Sequence, residues 1–352
     1  MKRFLDVMYD DTKNARKIKS CDYNHEGKYP IIDQSSKNVI GYTDEIDGLY
    51  KDVPVIIFGD HTRRFKLVEE PFFIGADGTK VLKLHSSVYD YKFIYYYLLH
   101  KKIPDTGYNR HFKWVKELEF PEIPRSIQSD IVKKFEVLND LIFSKNKLLE
   151  LFDILIKSRF VEIFGVFNIN PNNYNTIKFR DLIEQNNINE EDIVWLLNLD
   201  MIKPNTGEIV EKVYIDRQNI PTSSISFKKG TVLYSKLRPY LNKVVIADEN
   251  GYGTSELIPL NSYKNGLTAE YLAYYLRQDS FVEYIKDKVT GAKMPRVAMD
   301  ILRNIDIIQP NYIYQEQFSG FVNHINKLKS DVQKSIDETQ LLMDSLMQEY
   351  FG

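Results

Sequence analysis

Between residues 128 and 165, apolar side chains return in alternating steps of four and three. They are Ile131, Phe135, Leu138, Ile142, Leu149, Phe152, Ile156 and Ile163, with Lys145 and Arg159 as the polar members of the stripe. The same steps return near the C-terminus as Phe318, Val322, Ile325, Val332, Ile336, Met343, Leu346 and Tyr350, with Lys329 and Thr339 as the polar members. A heptad stripe keeps one side of a helix against a partner. It predicts two helices of about 37–39 residues, roughly 55–58 Å long, packed on each other as an antiparallel coiled coil. Pro121 and Pro124 precede the first and Pro310 precedes the second, where proline's fixed φ is tolerated. Gly165 follows the first, at the place where a residue free to turn left-handed ends a helix.

The two stretches are copies of one another. Shifted by 187 positions, Gln128 meets Gln315, Asn139 meets Asn326, Lys147 meets Lys334 and Ser158 meets Ser345, without a gap. Each copy ends on the same residues, Glu162, Phe164 and Gly165 over Glu349, Phe351 and Gly352. The repeat continues upstream with gaps. VIIFGDHTRRF (55–65) occupies the place of TVLYSKLRPYL (231–241), each a β-branched apolar run that breaks into a basic turn. Gly78-Thr79 correspond to Gly253-Thr254. The amphipathic helices YKFIYYYLL (91–99) and AEYLAYYLR (269–277) follow, and each leads into a Thr-Gly loop, TGYNRHFKWV (106–115) and TGAKMPRVAM (290–299).

The pattern predicts an α+β chain with a pseudo-twofold repeat. A mixed α/β domain spans 1–120, a central long helix 121–165, an Asn/Pro-rich linker 166–176, a second mixed α/β domain 177–308 and a C-terminal long helix 309–352. The helices repeat better than the domains, which suits a common frame holding two unlike domains.

A hydrophobic content of 43% can fill such cores. The single cysteine, Cys21, excludes an internal disulfide and fits a reducing, cytoplasmic setting. No apolar run reaches the roughly 18 residues of a membrane span. Net charge is −2, so no diffuse basic surface points to nucleic acid, and the local distribution matters more. Residues 61–116 hold 11 Lys/Arg against 5 Asp/Glu, and 226–243 hold 5 basic residues and no acid. Residues 284–303 hold 5 basic against 2 acidic. One such cluster is ordinarily a solvated face; three, at equivalent places of a repeat, suggest a polyanionic partner.

The whole layout resembles the specificity subunit of type I restriction-modification systems. The residues that carry the resemblance are FGDHTRRF followed by GADGTKVL, SKLRPYL followed by GTSEL, and the twice-occurring Thr-Gly loop with a downstream arginine (Arg110, Arg296), then proline and a Gln-led long helix. The resemblance implies two target-recognition domains, each reading one half of a bipartite site in double-stranded DNA, with the helices setting the spacer. It implies two methylation subunits docked on the frame, bringing S-adenosylmethionine and adenine-N6 chemistry, which restriction subunits can join. No cofactor is expected in this chain itself. Little precedes Phe4, so a partner contact through an N-terminal leader is not expected.

Such a reader needs phosphate contacts for register and side chains at base edges for specificity. In the first domain the candidates are Arg63, Arg64 and Lys66 in the basic turn, with Asn109, Arg110 and His111 in the Thr-Gly loop. In the second they are Lys236, Arg238, Tyr240 and Lys243, with Lys293 and Arg296 from the loop. Arginine can pair bidentately with guanine and asparagine with adenine; Arg63 or Arg238 can alternatively hold its turn through carbonyl contacts. Gln34-Ser35 follow an apolar run and could enter a groove. Tyr95, Tyr96, Tyr97, Tyr274 and Tyr275 stand at core spacing on helices and are expected to pack. His61, within GDHT, is expected to cap its turn.

No chemistry is expected of the chain. The nearest string to a base-flipping clamp, Asn170-Pro171-Asn172-Asn173-Tyr174, lacks the second proline. No phosphate-binding loop is present, no carboxylate-lysine cluster stands out, and the six histidines lack metal-ligand spacing. A coiled-coil scaffold with incidental basic loops, or a DNA-modifying enzyme with an unrecognised site, are the alternatives. Duplex binding with a methylation partner distinguishes the first, and methyl transfer by the chain alone the second.

Overall fold

The structure is a computed structural model that describes residues 1–85, 87–184, 188 and 192–352. Two compact units form, one from Met1–Lys145 with Ser335–Gly352 and the other from Asn146–Lys334. The two long helices, Arg125–Phe164 and Tyr312–Phe351, are 40 residues each and contribute to both units.

In the first unit the strands β1 (Met8–Asp10), β2 (Tyr29–Ile32), β3 (Gly41–Thr43), β4 (Val55–Gly59), β5 (Phe65–Val68), β6 (Phe73–Ile74) and β7 (Thr79–Leu84) build two sheets. The orders are β1-β7-β4-β5 and β3-β2-β6. β4 is buried at every position, which is why its run VIIFG is apolar throughout rather than alternating. β2 runs antiparallel to β3 and parallel to β6.

The second unit repeats this topology with β8 (Ile193–Leu197), β9 (Val213–Asp216), β10 (Ile225–Phe227), β11 (Val232–Ser235), β12 (Val244–Ile246), β13 (Gly251–Gly253) and β14 (Leu257–Leu260). β11 lies between β12 and β14 as β4 lies between β5 and β7. β8 runs antiparallel to β9 and parallel to β13, as β2 does to its neighbours. β10 extends this sheet on the far side of β13. Mixed α/β units with long helices are thus what the sequence led one to expect.

Each unit also holds a helix segment pair that runs antiparallel. In the first, Lys145 Nζ donates to the Ser335 carbonyl and hydroxyl (3.0 and 2.7 Å) and to the Thr339 hydroxyl (3.0 Å), while Phe135 stacks on Phe351. In the second, Lys329 pairs with Asp153 at 2.6 Å and Phe160 meets Phe318 edge-on. Every position of the heptad stripe is at least partly buried, with one exception, and Val132, Met347 and Phe351 are buried beside it. Arg159 is exposed and pairs with Glu162, and Phe160 is buried instead. A straight helix gains about 20° per heptad on a 3.5 repeat, and near its end the first helix also packs on Tyr271.

The shared glutamines fix these helices to the short amphipathic ones. Gln128 Oε1 accepts the amide of Asp90, and its Nε2 donates to the carbonyls of Val88 and Ile123. Gln315 repeats all three bonds, with Thr268, Gly266 and Pro310. Asp90 and Thr268 in turn cap the helices Tyr91–His100 and Ala269–Arg277 through their side chains. Tyr96, Tyr97 and Tyr275 are buried in the cores, as their spacing predicts.

Candidate nucleic-acid interface

In the first unit, three segments meet beyond the end of β4. The Asp60 amide donates to the Gly78 carbonyl (2.7 Å) and its carbonyl accepts from the His111 amide (2.9 Å). Its buried carboxylate accepts from the Phe112 amide at 2.7 Å. The basic turn closes because Arg63 adopts φ 60°, which returns its amide to the Gly59 carbonyl. Few side chains tolerate that left-handed region. Gln34 lies behind the turn: its Oε1 accepts the His61 amide, its Nε2 donates to the Asp77 carbonyl, and its own carbonyl accepts from the Thr62 hydroxyl.

The Thr-Gly loop is fastened to that turn. Asp105 accepts from the Gly107 amide (3.0 Å) and from the Arg63 guanidinium (2.8 Å). The amide bond and then the guanidinium charge hold its carboxyl below the ordinary range. Tyr108 stacks on His61, with centroids 4.8 Å apart and planes 9° from parallel, and is 90% exposed.

The second unit builds the same junction from different residues. The Lys236 amide donates to the Glu256 carbonyl, and its carbonyl accepts from the Val297 amide. The Arg238 amide donates to the Pro295 carbonyl (2.8 Å), and Arg238 is left-handed at φ 47°. Arg296 Nη2 lies 2.8 Å from Glu256 Oε1, which raises the arginine further above its ordinary value.

The structure therefore brings most of the sequence candidates together within each unit. Arg64, Asn109 and Arg110 are exposed in the first; Arg238, Tyr240, Lys293 and Arg296 are exposed in the second; Arg63 and Lys236 are half-buried. Among the described residues, Arg64, Arg110, Arg238 and Lys293 are in no ion pair at contact distance, although Arg110 is near enough to Asp77 to help lower its carboxyl, whereas Arg63 and Arg296 each pair with a carboxylate.

Three candidates are placed otherwise. His111 is fully buried, with its Nδ1 2.9 Å from the Asp60 carbonyl, so it shapes the loop and shows no edge to a ligand. Lys66 is buried and donates to the carbonyls of Asp33 and Lys37; burial pushes its ammonium below the usual lysine range. Lys243 donates to the Leu199 carbonyl and is shifted the same way by burial. A basic letter in a turn carries no sign of where its ammonium goes, since a lysine stem can bury while its head meets carbonyls. Gln34, offered above as a groove residue, spends its side chain on the turn.

Sequence reasoning missed Tyr108. Its signal was a ring inside TGYNRHFK, outside any apolar period. Among the described residues no cluster of His, Cys, Asp and Glu is arranged to hold a metal ion, and no helix is long and apolar enough to cross a membrane.

No protein-family model matches the chain. Among curated proteins, the type I restriction enzyme EcoDI specificity subunit of Escherichia coli is 22% identical over 143 residues, which are 41% of this chain and 32% of that protein. The MjaIX specificity subunit of Methanocaldococcus jannaschii is 25% identical over 171 residues, 46% of this chain and 37% of that one. Another Escherichia coli type I specificity subunit is 23% identical over 252 residues, 70% of this chain and 58% of its own length. The matches thus span about a third to somewhat over half of those relatives.

In fold, the crystal structure of a type I restriction-modification S subunit from M. genitalium superposes over 100% of this chain and 95% of that one, with a TM-score of 0.57 at 15% identity. A chain from work on complex assembly and conformational transition of a type I system covers 98% of this chain and 94% of its own, with a TM-score of 0.58 at 14% identity. In sequence and in fold alike, this chain is similar to the specificity subunits of type I restriction-modification enzymes.

Proposed function

We propose that the chain is the sequence-reading subunit of a type I restriction-modification complex and performs no bond-making chemistry itself. Each α/β domain, 1–120 and 177–308, reads one half of a bipartite duplex site. The two long helices form the antiparallel coiled coil that sets the spacer and receives two methylation subunits. Those partners carry S-adenosylmethionine and methylate adenine, in the cytoplasm, and restriction subunits can join them.

The observation that carries this reading is the junction built twice. In each unit a strand end, a Gly-Thr segment and a Thr-Gly loop converge and leave exposed guanidinium or ammonium groups outside any contact ion pair, Arg64 and Arg110 in one, Arg238 and Lys293 in the other. Arginines positioned by rigid turns can meet phosphates and base edges at fixed geometry, which loosely held surface lysines cannot. The test is to select duplexes from a random pool with the chain and its methylation partner. Recovery of one motif of two defined blocks with a fixed gap supports the proposal; recovery of no motif contradicts it.

A further inference from the structure

Tyr108 is nearly free of protein contact except on one face, where it lies parallel to His61. The backbone that carries that ring is itself held. The His61 amide is bonded to Gln34, and a Cβ at Gly78 would come within 2.8 Å of His61 Cδ2, so the imidazole occupies space only a glycine leaves. The loop around Tyr108 is equally fixed, by Asp105 on the Gly107 amide, by Gly107 at φ 78°, and by the Asn109 side chain on the Thr106 carbonyl. The fold has thus built a rigid pedestal for a ring that no core requires.

Exposed basic residues flank it, Arg110 in its own loop and Arg64 in the facing turn. The corresponding loop of the second unit carries Met294 and Pro295 between Lys293 and Arg296, and no aromatic ring.

We propose that Tyr108, steadied by His61, is a base-stacking contact of the first half-site. Its free face covers a base or base step that the bound DNA exposes, while neighbouring arginines hold the phosphates. The inference rests on the DNA-reading function above. It assigns to the Thr-Gly loop of the first domain a mode of recognition that the corresponding loop of the second lacks.

The test uses the chain assembled with its methylation partner and a duplex selected by the wild-type complex. Tyr108→Ala is expected to weaken binding roughly 5- to 150-fold, as loss of one base-aromatic stack does. The slope of log affinity against log salt stays unchanged, because no charge is removed. Tyr108→Phe, which keeps the ring, is expected to bind within about twofold of wild type on the same stacking argument. The proposal is overturned if Tyr108→Ala binds like wild type, or if Tyr108→Phe falls as far as Tyr108→Ala. A wild-type complex that selects no duplex contradicts the DNA-reading function itself, and the proposal with it.

Discussion

Asp60 and Lys236, one acidic and one basic, make the same pair of main-chain bonds in their respective units. Each amide donates to a carbonyl of the Gly-Thr or Gly-Thr-Ser-Glu segment, that of Gly78 or Glu256, and each carbonyl accepts from the Thr-Gly loop, at His111 or Val297. The backbone junction is therefore repeated while the side chains on it are free to differ. That is the arrangement required of one scaffold that presents two unlike sets of contacts.

The left-handed arginine at the second junction separates two readings of its role. Arg238 stands at φ 47° and is exposed, and a non-glycine residue pays about 1–2 kcal/mol for that conformation. Arg238→Gly should raise the unfolding free energy by about 1 kcal/mol, less glycine's own entropy cost, while DNA affinity falls. Chemical denaturation and duplex titration measure the two effects. A loss of stability would show that the side chain holds the turn, and its contact with DNA would then be doubtful.

Arg110 and Arg296 should respond differently to truncation. Arg110 is in no contact ion pair among the described residues and has only a longer-range interaction with Asp77, whereas Arg296 is paired with Glu256. Arg110→Ala should flatten the salt slope by roughly 0.9, as expected when one phosphate contact is lost. Arg296→Ala should produce a smaller change, because Glu256 already balances its charge. Equal changes in both would mean that the Glu256 pair opens in the bound state. Titrations at four or five salt concentrations decide between these outcomes.

The paired glutamines carry a stability prediction. Gln128 and Gln315 are both fully buried, and each satisfies three main-chain groups. Replacing either with leucine removes those bonds and leaves inward-facing main-chain groups without the side chain that met them, at about 1–3 kcal/mol for a buried unsatisfied donor or acceptor. Urea unfolding should show a loss of at least that size for each variant. A change under about 0.5 kcal/mol, the range of ordinary surface substitutions, would mean that water replaces the side chain.

Much of this was legible beforehand. The heptad stripes at Ile131 and Phe318 located both long helices, and the match of VIIFGDHTRRF to TVLYSKLRPYL located both junctions, because period and repetition are properties of the letters alone. What the letters did not show is how each basic side chain is used. Lys66 and Arg64 are two residues apart, yet one is buried on carbonyls and the other is exposed, since Arg64 still belongs to the turn while Lys66 stands on β5, where its stem reaches the Asp33 and Lys37 carbonyls. Asp105 is far in sequence from Arg63, and Glu256 from Arg296, and only the fold brings each pair together. The exposure of Tyr108 depends likewise on a loop anchored from 42 residues away, through Arg63 on Asp105.

The central claim is that the two domains read independently. Its most direct test is to replace residues 177–308 with the corresponding domain of another specificity subunit and to map methylated adenines in cells that also express the methylation partner. The account predicts that one half of the recognised site changes while the half read by residues 1–120 stays as it was. If both halves changed, or if neither did, independent reading by two domains would be contradicted.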